Sequence, residues 1–152
     1  AAGGIVDGRG LAAALGLGAA GALMGTRFLA THEAPIQSNY KQAIVESEPG
    51  DTVANDLFDI LWGDEWPGVQ TRAIRNAFVE RWLGREDELR TSIEAIRGQR
   101  TRDNADDDRA EMPLLAGASA GRIREVKPAG QVVRDTVGEA ERAIRELRAI
   151  VQ

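Results

Sequence analysis

A chain of 152 residues, 43% hydrophobic and 28% charged, has the composition of a globular domain with a real core, neither disordered nor fibrous. Its net charge of −5 offers no basic stripe for nucleic acid. The absence of cysteine excludes disulfides, thiol catalysis and thiolate metal sites, and is consistent with a cytoplasmic protein. A whole (β/α)8 barrel takes about 250 residues and does not fit this length; beginning at Ala1 rather than methionine, the chain reads as a processed product or a fragment.

The opening thirty residues predict strand end, turn, helix, strand, turn. Asp7 is an N-cap candidate, with Leu11, Ala14 and Leu15 following at helical spacing and Gly16 and Gly18 stopping the helix. Gly21 to Met24, closed by Gly25, suits a short buried parallel strand. Helix followed by parallel strand is the repeating unit of α/β folds. One such unit makes no sheet alone, so its partner strands are expected from sequence upstream. The run from Gly10 to Thr26 carries no charge, but it is short for a bilayer span and mostly Gly and Ala. Neither a membrane helix nor a signal peptide is expected there, since Asp7 and Arg9 cancel where a positive segment belongs.

Residues Ala34 to Ala110 hold all three tryptophans and show no alternating strand pattern, so a helical excursion is expected. One helix is predicted from Pro35 to Glu46, before the turn cluster Glu48-Pro49-Gly50-Asp51. The four-residue steps Ile74, Phe78, Trp82, with Ala73 and Ala77 beside them, predict an amphipathic helix ended by Gly84. Leu89, Ile93 and Ile96 predict another, ended by Gly98, before a solvated acidic stretch from Gln99 to Arg109. Within that stretch Asp106-Asp107-Asp108 lacks the spacing and glycine of an EF-hand loop. Pro113 to Ala120 reads as a Gly/Ala/Ser loop. A final helix carries Val133, Val137, Ala140, Ile144, Leu147 and Val151 on one stripe, which must be buried against something.

Chemistry concentrates in the two glycine turns, AAGGI and MGTRF. Phosphate binding needs backbone N–H groups that a ligand can approach closely, which favours glycine, and a following helix N-terminus adds partial positive charge. In (β/α)8 barrels a phosphate is often held by the loops after strands seven and eight. Two strand-end glycine turns in tandem fit that site. Thr26 offers a hydroxyl and Arg27 a charge.

On these residues the chain resembles the nitronate monooxygenases. The stretch from Ala1 to Thr31 is similar to their strand-seven to strand-eight segment, and the likeness continues through LFDILWGDEWPG, RAIRNAF and AGASAGRIREVKPAG. The resemblance implies an α/β fold, the C-terminal part of a (β/α)8 TIM barrel with an α-helical inserted domain. Residues 1–33 would run from the end of strand seven to strand eight, 34–112 would form the insert, and 113–152 would return to the barrel. It implies FMN as cofactor, with Gly3, Gly4, Leu23, Met24, Gly25 and Thr26 holding its phosphate mainly through main-chain groups. It further implies oxidation of an alkyl nitronate, a small molecule, by molecular oxygen, with no nucleic-acid or membrane partner; a homodimer is an admitted assembly. The related flavin-dependent enoyl-acyl-carrier-protein reductases share the turns and are the alternative; a truncated, non-catalytic piece is another.

Two positions depart from the family pattern. Position 23 is often Gln and is Leu23 here, which a main-chain contact tolerates, and AGASAG commonly reads AGQSAG, so Ala118 lacks an amide. The resemblance places the catalytic histidine upstream, so no catalytic residue is assigned in this chain. His32 matches no such position and is expected as a surface or capping residue. Trp62, Trp66 and Trp82 are candidates for a cleft wall, with burial in the insert core the favoured expectation. Arg72, Arg75 and Asn76 could steer an anionic substrate, against the plainer reading that such arginines cover apolar surface or pair with carboxylates.

Overall fold

The computed structural model describes residues 1–64, 66–102 and 107–151. It is α/β. Ala2 and Leu23 form a parallel bridge, with the Leu23 amide donating to the Ala1 carbonyl at 2.8 Å. Helix α1 (Gly8–Gly16) connects the two segments and starts at Asp7, whose carboxylate accepts from the Gly10 amide. The uncharged run is thereby divided among α1, a turn, the bridge and helix α2 (Thr26–Leu29). Among the described residues no helix is long and apolar enough to cross a membrane. The parallel pairing is as expected, but burial is not: Leu23 is 71% exposed, because this chain supplies no layer above it.

Helix α3 (Ser38–Glu46) begins three residues later than expected. The segment after it is not wholly helical. Strands β1 (Thr52–Asn55) and β2 (Thr71–Ile74) form an antiparallel hairpin around helix α4 (Leu57–Trp62). A third rung set comes from the return loop, where the Ile74 amide donates to Leu114 and the Ala116 amide to Arg72. Ala73 and Ile74, predicted helical, are therefore strand. Successive strand residues face opposite sides, so Ala73 joins a core of Leu57, Phe58, Phe78, Val79 and Leu89, and Ile74 joins another of Tyr40, Ile44, Leu114 and Ile123. The first core centres on Phe58 stacked on Phe78, centroids 5.1 Å apart.

Helix α5 (Ala77–Trp82) starts at Asn76, whose side-chain oxygen accepts from the Val79 amide. Helices α6 (Glu86–Thr91) and α7 (Ile93–Arg102) follow, and α7 runs through Gly98 instead of ending there. Side chains explain the continuation. Arg97 donates to Leu61 O at 2.8 Å, and Arg100 donates to Glu111 O at 2.7 Å while lying over the Phe78 ring. These contacts offset the cost of about 1 kcal/mol for a mid-helix glycine. The acidic stretch expected beyond Gln99 falls partly on 103–106, outside the described residues.

Helix α8 (Ala129–Val151) packs along α1. Its buried face is Val132, Thr136 and Ala140, of which the stripe anticipated from the sequence held Ala140 alone. Val133, Val137, Ile144 and Leu147 are 46–58% exposed, and the side chain of Val151 lies outside the description.

Candidate phosphate-binding site

The parallel bridge sets the geometry. With Ala2 beside Leu23, the turns that follow, Gly3-Gly4 and Met24-Gly25-Thr26, leave the same end of the pair. Gly3 and Gly4 take φ of +85° and +74°, a left-handed backbone that residues with a Cβ rarely adopt. A Cβ built on Gly3, Gly4 or Gly25 meets no atom within 4 Å, so the space over both turns is open. Among the described residues nothing accepts the backbone N–H groups of Gly4, Gly25 or Thr26. Open space lined by such amides is chemically suited to an anion.

Three expectations about this site change. The N-terminus of α1 is already filled by two carboxylates, since the Gly8 amide donates to Glu139 Oε2 at 2.9 Å and the Gly10 amide to Asp7. It offers no charge to a ligand. Arg27 is 7% exposed and turned inward, donating to the Glu125 and Ala30 carbonyls at 3.1 and 3.2 Å. Burial lowers its pKa, opposed by Glu125 and Asp135. It is a strut under α2 and no phosphate ligand. The third change is an addition: the Gly117 amide, from the Gly/Ala/Ser loop, donates to Thr26 Oγ1 at 2.9 Å. Small residues signal close backbone approach, and AGASAG carried that signal without naming its partner.

The other candidates have structural work. The His32 side chain is exposed while its backbone amide donates to the Lys127 carbonyl. Arg72 donates to Thr52, Arg75 pairs with Glu80 at 2.9 Å, and Asn76 caps α5 and donates to the Arg109 and Met112 carbonyls. Trp82 packs against the insert core, and the Trp62 ring lies beside Phe58 of that core, centroids 6.1 Å apart, but Trp62 and Trp66 are 47% and 71% exposed, so burial fails for these two. Ala118 is exposed, next to the Gly117 that reaches Thr26.

Residues 1–139 match the family model of nitronate monooxygenase. A nitronate monooxygenase of Metarhizium robertsii, npaC, is 38% identical over 148 residues, 92% of this chain and 40% of that protein. One from Neurospora crassa is 31% identical, over 98% of this chain and 39% of its own length. The chain belongs to the nitronate monooxygenase family. It spans about 40% of these relatives. Two solved structures share its fold. FabK from Thermotoga maritima superposes with a TM-score of 0.78 at 35% identity, covering 98% of this chain and 46% of its own. Nitroalkane oxidase from Streptomyces ansochromogenes gives 0.71 at 28% identity, covering 96% and 40%.

Proposed function

We propose that this chain is the phosphate-anchoring C-terminal part of an FMN-dependent enzyme that oxidises alkyl nitronates with molecular oxygen. One observation carries the reading: the Ala2–Leu23 parallel bridge brings together two glycine turns whose amides lack acceptors. Family membership supports the rest. The barrel reading is supported by surfaces that a larger barrel would cover, namely Leu17 and Leu23 at 90% and 71% exposure and the apolar stripe of α8.

The residues present fit the phosphate end of the cofactor. Amides of Gly3, Gly4, Met24, Gly25 and Thr26 form its donor set, the Leu23 amide being taken by the Ala1 carbonyl, and the open space above Gly4 and Gly25 admits a group that a side chain would exclude. When bound, FMN supplies the electron acceptor for the anionic substrate and the donor to oxygen. This chain anchors and orients. The proton-transferring group belongs to residues outside it.

The test uses the longest native chain carrying these residues. Oxygen consumption with propionate 3-nitronate, without NAD(P)H oxidation on an enoyl thioester, is the expected result. The reverse pattern assigns the enoyl-reductase alternative and overturns the proposal. The inward turn of Arg27 adds a second expectation. Arg27→Ala should lower stability in urea unfolding by about 2 kcal/mol, because two carbonyls lose their donor, while FMN affinity of the folded protein stays unchanged. A selective loss of FMN affinity would make Arg27 a phosphate ligand after all.

A further inference from the structure

The Thr26 hydroxyl has one proton to donate and two lone pairs to accept with. Its Oγ1 accepts from the Gly117 amide at 2.9 Å, and among the described residues the hydroxyl donates to nothing. The amide is not loosely placed. Leu114 and Ala116, just before it, are hydrogen-bonded to β2 through Ile74 and Arg72, and the Tyr40 hydroxyl donates to the Leu115 carbonyl from α3. Burial pushes that phenol up to about 12, so it stays a neutral donor across the physiological range. A Cβ on Gly117 would stand 3.3 Å from Thr26 Oγ1, so a side chain there would press on the hydroxyl.

Resting on the phosphate-anchor reading above, we infer that Gly117 is a positioning residue: by occupying a lone pair of Thr26 it directs the hydroxyl proton toward the bound phosphate. An unconstrained hydroxyl rotates, and its proton has other acceptors, the solvent among them. With one acceptor direction taken by a fixed amide, fewer orientations remain and the proton faces the open side of the turn. The strands and α3 of the inserted segment thus act on the cofactor through one backbone amide. Among the described residues the hydrogen bond to Thr26 comes from Gly117, and neither Ala118 nor Ser119 makes one.

The experiment measures FMN and riboflavin affinity by flavin fluorescence in the longest native chain, for wild type, Thr26→Val, Thr26→Ser, Gly117→Ala and the Thr26→Val/Gly117→Ala pair. Riboflavin lacks the phosphate and serves as the internal control. Wild type should prefer FMN. Thr26→Val should lose about tenfold or more of FMN affinity, Thr26→Ser should keep most of it, and neither should change riboflavin. Gly117→Ala should lose FMN affinity several-fold, yet lose nothing further in the Thr26→Val background. Full additivity of the two changes, or a Gly117→Ala protein equal to wild type, overturns the inference and leaves the anchor intact. Equal losses for FMN and riboflavin in Gly117→Ala make it a packing defect and overturn it too. A wild type that binds both flavins equally well overturns the anchor reading itself, and this inference with it.

Discussion

Gly8→Ala is expected to destabilise the protein by about 3 kcal/mol. The new Cβ would lie 2.3 Å from Glu139 Cβ and 2.4 Å from both the Ala140 nitrogen and the Thr136 oxygen. Two of these three atoms are α8 backbone, so no rotamer change relieves the overlap. The helices must separate. Separation breaks the Gly8–Glu139 hydrogen bond that fills the N-terminus of α1 and loosens Ala12 and Ala140, which are buried on the two helices. Gly16→Ala at the other end of α1 is the matched control, since a Cβ there meets nothing within 4 Å. That change should be neutral or stabilising by about 0.5 kcal/mol, through a less flexible unfolded chain. Urea unfolding of the two variants reads the contrast. A Gly8→Ala protein as stable as Gly16→Ala would mean that α1 and α8 do not meet as closely as 2.3 Å implies.

Helix α8 also shows where the sequence stops being legible. Its apolar periodicity marks Val133, Val137, Ala140, Ile144 and Leu147, yet of these only Ala140 is buried, on a face it shares with Val132 and Thr136. Close packing on Gly8 and Ala12 selects small residues, and small residues contribute little to a hydrophobic pattern. The pattern therefore reported the face this chain leaves open. In β2 the failure has a different cause. Ile74, Phe78 and Trp82 keep helical spacing by coincidence across a strand, a cap and a helix, and Asn76, a strong N-cap residue, was the signal that the helix begins later. By contrast, Asp7, Gly16 and Gly18 were legible because caps and stops are local: a side chain meets an amide three residues away, whatever the rest of the fold does. The site divides the same way. The glycine turns and their parallel pairing follow from the local sequence, whereas the Gly117 amide on Thr26, ninety-one positions away, does not. Nor does the inward turn of Arg27, which depends on carbonyls at Ala30 and Glu125.

Gly25→Asp is expected to weaken FMN binding by about a hundredfold or more while leaving the folded protein intact. Unlike Gly3 and Gly4, Gly25 has φ of −90°, which any L residue adopts, and a Cβ there meets nothing. Aspartate is moreover a favoured residue before a helix. Stability without flavin should accordingly stay within about 0.5 kcal/mol of wild type. The carboxylate, however, stands in the space assigned to the phosphate. Two like charges about 4 Å apart near a protein surface repel by roughly 4 kcal/mol, which corresponds to a loss near the thousandfold level before screening. Neighbouring charge does not relieve this, since Arg27 is committed to carbonyls below the turn and the end of α1 is filled by carboxylates. Gly25→Asn, of the same shape without the charge, separates repulsion from bulk: it should weaken FMN binding by its bulk alone, and so by clearly less than Gly25→Asp. Riboflavin should bind to Gly25→Asp nearly as it does to wild type. If FMN also binds Gly25→Asp like wild type, the phosphate does not sit over this turn, and the anchor must be sought elsewhere in the chain.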